Sequence, residues 1–100
     1  MSERSDFFYR GKTPFLVFGI SLYRCSRAAL GDAPETERIA DALVASVAER
    51  PDSGTVIPGT IVRVLHSRRY GPFPALRLYY SVAAGVVHLL WIEHYDEMEA

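Results

Sequence analysis

Leu76-Arg77-Leu78-Tyr79-Tyr80-Ser81-Val82 is followed, after Ala83-Ala84-Gly85, by Val86-Val87-His88-Leu89-Leu90-Trp91-Ile92-Glu93-His94-Tyr95. Both runs are rich in β-branched, aromatic and long apolar residues, and the connector holds the glycine that a tight turn with positive φ favours. Two strands joined by so short a loop are antiparallel neighbours. Alternation of side chains places Leu76, Leu78, Tyr80 and Val82 on one face and Arg77, Tyr79 and Ser81 on the other. A two-residue loop at Ala84 and Gly85 sets Arg77 opposite Ile92 and turns Val87, Leu89 and Trp91 toward the face of Leu78 and Tyr80. A one-residue slip would bring Glu93 and Tyr95 beside Arg77 and move every side chain of the second strand to the opposite face. The first register buries apolar against apolar and is therefore the expected one. It gathers Arg77, Tyr79, His88 and His94 on one face, with His94 diagonal to Arg77 at roughly 7–8 Å.

Upstream of the hairpin, residues 34–49 form the clearest helix. Ile39, Leu43 and Val47 are spaced by four, with Ala40, Val44 and Ala48 beside them, the stripe of a helix packed on a sheet. Glu35 and Glu37 suit its first turn, and Arg50 before Pro51 suits its end. Residues 15–23 are apolar and aromatic and read as a buried, central strand, followed by one helical turn over residues 26–30 stopped at Gly31. Pro51-Asp52-Ser53-Gly54 and Pro58-Gly59 mark a loop, residues 61–66 a strand, and residues 67–75 an excursion before the hairpin. The order of strand, helix and three strands predicts an α+β domain, a small antiparallel-rich sheet with helical cover on one face. The opposite face is left for a ligand.

With 100 residues, 49% hydrophobic and 12% aromatic, the chain has the composition of one globular domain rather than of a disordered segment. Residues 13–96 are expected to form that domain, residues 1–12 a flexible segment and residues 97–100 an acidic tail. No apolar run is long enough to span a bilayer or to resemble a signal peptide, which points to a cytoplasmic protein without membrane contact. A single cysteine, Cys25, and three scattered histidines offer neither a disulfide nor the ligand spacing of a metal site, so no cofactor is expected. The net charge of −1 hides a segregation. Residues 54–92 carry Arg63, Arg68, Arg69 and Arg77 and no acid, whereas residues 93–100 carry Glu93, Asp96, Glu97 and Glu99 and no lysine or arginine. Such a basic stretch attracts phosphate backbones or acidic proteins, and the acidic tail either competes for it or keeps the terminus solvated.

Over residues 39–97 the chain resembles the RelE/ParE superfamily of small toxins from toxin–antitoxin pairs. The likeness rests on a helix ending in Ala48-Glu49-Arg50-Pro51-Asp52-Ser53-Gly54, then Val56-Ile57-Pro58-Gly59-Thr60, the strand arginine Arg63, Arg77-Leu78-Tyr79-Tyr80, an apolar strand, and His94-Tyr95. The Asp-Ser-Gly and Ile-Pro-Gly-Thr runs resemble the HigB-type branch, and the arginine strand with a terminal His-Tyr pair resembles YoeB. The resemblance implies one of two toxin activities. One is a metal-independent endoribonuclease that cleaves mRNA, in many members on the ribosome, and so inhibits translation. The other is a ParE-like inhibitor of DNA gyrase that cleaves nothing, and a degenerate member that only binds its antitoxin stays open as a third case. Carried over by position, Arg77 matches the arginine on the scissile phosphate, Arg63 the basic residue of the preceding strand, and His94 and Tyr95 the terminal catalytic pair. The expected partners are a small acidic antitoxin protein and RNA. Arg68, Arg69, Tyr79, His66 and His88 are candidates for RNA contact, since arginines position phosphates and aromatic rings stack on bases.

Overall fold

The structure is a computed structural model and describes residues 16–68 and 75–95. It contains β1 (Leu16–Gly19), α1 (Ser21–Ala29), α2 (Pro34–Glu49), β2 (Thr55–Val56), β3 (Arg63–His66), β4 (Ala75–Ala83) and β5 (Val86–Tyr95). The strands form one mixed sheet in the order β1-β5-β4-β3-β2, antiparallel throughout except for the parallel pair β1 and β5. Both helices contribute to a single core with one face of this sheet, built from Tyr23 of α1, the stripe of α2, and Val17, Leu76, Leu78, Tyr80, Val87, Leu89 and Ile92. The α+β class follows, with the helices on one side.

α2 begins with Pro34 in its first turn and Glu35 and Glu37 near its positive end, and it buries Ile39, Ala40, Leu43, Val44, Val47 and Ala48, as the four-residue spacing predicts. The loop after it is tied to the sheet by Tyr80. This fully buried side chain donates its hydroxyl to the Pro51 carbonyl and accepts the Gly54 amide, both at 2.8 Å. A Cβ on Gly54 would lie 2.6 Å from that hydroxyl and 2.9 Å from the Val64 carbonyl, so only glycine lets the loop approach this closely.

Residues 15–23 do not form a central strand. β1 is four residues long and lies at the edge of the sheet, and the chain turns into α1 at Ser21. Leu22 and Tyr23 look strand-like by composition, but Tyr23 and Ser26 are the buried residues of the helix. A polar residue on the buried face masks the helical period. Ser26 is there for a reason: it accepts the Ile92 amide at 3.0 Å and donates to the Tyr23 carbonyl at 2.9 Å, so α1 takes over as cover for the edge of β5 beyond the short β1. Arg27 holds α1 to α2 through Glu37 at 2.9 Å and Asp41 at 2.6 Å, while also donating to the Tyr23 hydroxyl at 2.8 Å. Burial pulls the Arg27 guanidinium's pKa down, but the bonds from Asp41, Tyr23 and Glu37 outweigh it and raise the pKa above the ordinary value.

The hairpin loop is the expected Ala84-Gly85, with φ of 53° and 77°, the pair of positive angles of a type I′ turn. The expected register holds only beside it, where Val82 faces Val87, Ser81 faces His88 and Tyr80 faces Leu89. A bulge at Leu90 then inserts one residue, so that Tyr79 faces Trp91, Leu78 faces Ile92, Arg77 faces Glu93 and Leu76 faces His94. Arg77 is thus not opposite Ile92, and His94 is not on its face. The one-residue slip is confined to half the hairpin, where it buries Ile92 in place of Trp91.

Among the described residues, no helix is long and apolar enough to cross a membrane. The expected flexible segment 1–12, the tail 97–100 and Arg69 lie outside the described residues. Glu93, read as the first residue of an acidic tail, is instead an integral part of β5.

Candidate active face

The bulge brings a set of polar and aromatic side chains together on the face of the sheet away from both helices. His66 on β3, Arg77 on β4 and Glu93 on β5 form one cross-strand row. Val64, Tyr79 and Trp91 form the next. Tyr95 lies opposite Ala75, whose small side chain lets the phenol ring lean toward the neighbouring row. There Tyr95 stacks on His66 with ring centroids 4.8 Å apart and planes 10° apart. The guanidinium carbon of Arg77 lies 4.7 Å from the Tyr95 ring centre and 5.8 Å from that of Tyr79, close enough for cation–π attraction.

Glu93 is the hub. Its Oε2 accepts Nε and Nη2 of Arg77 at 3.0 and 2.6 Å and the Tyr79 hydroxyl at 3.1 Å, while its Oε1 accepts Nε1 of Trp91 at 3.1 Å. Partial burial pushes the Glu93 carboxyl up, but the donors of Arg77, Trp91 and Tyr79 outweigh it and hold the group below its ordinary value. The same bond from Glu93 raises Arg77, and burial followed by the Glu93 contact raises Tyr79. At neutral pH the face therefore holds a carboxylate, a guanidinium and a neutral phenol. A carboxylate oxygen accepts more than one bond, so Oε1 has acceptor capacity beyond its bond from Trp91.

The residues expected to act together are distributed over both faces. Arg77, Tyr79, Tyr95 and His66 converge. His88 shares the face but lies beyond the bulge, stacked on Phe18 with centroids 6.3 Å apart. Arg63 points to the helix side, opposite Tyr80, and donates Nη1 to the Gly54 carbonyl at 2.8 Å. It braces the loop rather than joining the row of His66, Arg77 and Glu93. His94 also lies on the helix side, opposite the buried Leu76, beside a small cleft against α1. Arg68 is exposed where β3 ends and lines, with His66 and Arg50, an open groove of about 1050 Å³ between β3 and α2. Glu93 and Trp91 were missed. The signal for Glu93 was its charge, since the only acid in the second strand belongs opposite the only arginine in the first. Among the described residues no three His, Cys, Asp or Glu side chains gather as a metal site requires.

No protein-family model matches the chain, and no curated protein matches it closely enough to count as a relative.

Proposed function

We propose that this open face binds and cleaves RNA, and that the chain is a toxin of the RelE/ParE kind acting as a metal-independent endoribonuclease on mRNA. The observation that carries this reading is the row His66, Arg77, Glu93, in which a permanent cation stands between a carboxylate and an imidazole. Cleavage by the 2′-hydroxyl needs a base to take its proton, a cation for the pentavalent phosphate and an acid for the leaving 5′-oxygen. Glu93 Oε1 takes the proton. Arg77 presents Nη1, the guanidinium nitrogen not engaged by Glu93, to a non-bridging oxygen. His66, on the opposite side of Arg77 and held by Tyr95, protonates the leaving oxygen. With strands about 4.8 Å apart, base and acid stand two strand spacings from each other with the arginine between them, which leaves room for the in-line phosphate above it.

The expected products are a 2′,3′-cyclic phosphate and a 5′-hydroxyl end, formed by the purified protein in EDTA from an ordinary RNA and not from its 2′-O-methyl counterpart. Cleavage of the methylated RNA, or 3′-hydroxyl ends, would exclude this mechanism. A second reading has one observation in its favour: Arg77 is already paired with Glu93 at 2.6 Å, as an arginine in a protein-docking surface would be. In that case the chain is a non-catalytic toxin that binds its antitoxin or DNA gyrase. Blocked supercoiling with RNA left intact would select it.

A further inference from the structure

The open face does not end at Glu93. Trp91 is 39% exposed, an unusual position for the single tryptophan of the chain, and its indole N–H is fixed on Glu93. Among the described residues no strand pairs with this edge of β5 beyond Leu89, where the pairing with β1 ends. α1 runs past at this point and leaves a cleft of about 240 Å³, walled by Trp91 and Ile92 on the strand and by Cys25, Ala29 and Leu30 on the helix, with His94 at its rim. The cleft has apolar walls, one large aromatic surface and a polar edge, and it shares Glu93 with the catalytic row. A flat heteroaromatic ring fits those features. An aromatic wall contributes stacking whatever the base, and a rim histidine supplies a hydrogen-bonding group for its edge.

We infer that this cleft between α1 and β5 is a nucleobase slot, holding the base of the nucleotide whose 2′-hydroxyl attacks. The inference rests on the endoribonuclease reading, which fixes the direction: Glu93 activates that 2′-hydroxyl, so the base attached to the same ribose belongs on the Trp91 side. The leaving nucleotide belongs across Arg77 on the His66 side. The RNA therefore runs from the α1 side of β5 toward β3 in the 5′ to 3′ sense, and the base in the slot must be unpaired.

The test uses the full chain and a 2′-O-methyl trinucleotide, which binds without being cut. Its 3′-end carries a fluorescein label, so that anisotropy reports binding while Trp91 emission reports the slot. The inference predicts saturable change in Trp91 emission with the same midpoint as the anisotropy. It predicts at least tenfold weaker binding, without emission change, when the nucleotide under test is abasic. Ala29→Leu, an exposed α1 position whose larger side chain fills the slot, should also weaken binding at least tenfold. Its melting temperature should match that of the parent, and the smaller Ala29→Ser should bind normally. RNA binding with Trp91 emission unchanged, or undiminished binding by Ala29→Leu, overturns the slot and leaves the catalytic row standing. Absence of any RNA binding overturns both.

Discussion

Glu93 is the base of the proposed mechanism, and its environment has consequences that are measurable without any substrate. Its folded-state pKa lies below the unfolded value because Arg77, Trp91 and Tyr79 donate to the carboxylate. The stability this contributes is present above the unfolded pKa and lost as pH falls through the folded one. Since both partners are about one-third exposed, the contribution is about 1 kcal/mol or less. Urea titrations should show Glu93→Gln less stable than the parent at pH 7, with the difference closing as pH falls below about 4. A difference independent of pH would show that the carboxylate is not held by these donors. Tyr80 has the larger structural effect. Removing its hydroxyl in Tyr80→Phe leaves the buried Gly54 amide and the Pro51 carbonyl unpaired, for a loss of about 1–3 kcal/mol in chemical denaturation.

At the scale of elements, α2 and the two-residue hairpin loop were legible because each is marked by local chemistry. The stripe of α2 repeats every four residues between a proline start and a proline stop, and Ala84-Gly85 is the one place where β4 and β5 can turn. The bulge was not legible. Leu89-Leu90-Trp91-Ile92 is apolar at every position, so alternation there carries no register information, and the choice between burying Trp91 or Ile92 is made by how each fits beneath the helices. α1 was misread for a related reason, a buried serine on its inner face where periodicity calls for an apolar residue. The turn offers a test at this scale. Ala84 has a left-handed φ of 53°, which asparagine adopts more easily than alanine. Ala84→Asn should stabilise the protein, raising the urea midpoint at unchanged slope. Destabilisation would mean that the hairpin does not close through this turn.

Among the described residues, the helices claim one side of the sheet and the polar row stands on the other. The fold class was accessible from the sequence because it depends on the order of amphipathic segments. The composition of the site was only half accessible, because face assignment on β5 depends on a single inserted residue. That residue moves His94 to the helix side and Glu93 beside Arg77, and it leaves His66, not His94, as the imidazole of the row. The apparent acidic tail is thereby divided. Its first member neutralises the sheet arginine, and the segregation of charge along the sequence is partly cancelled in three dimensions. The most direct measurement of the central claim is single-turnover cleavage of one defined RNA at saturating protein by four folded variants. Arg77→Ala, Glu93→Gln and His66→Gln should each lose at least about 100-fold in rate, within the range expected when an acid, a base or an oxyanion donor is removed, while His94→Gln, whose side chain lies on the helix side and outside the row, keeps its single-turnover rate at saturating protein within threefold of the parent. A collapse in His94→Gln with His66→Gln at the parental rate would contradict the account.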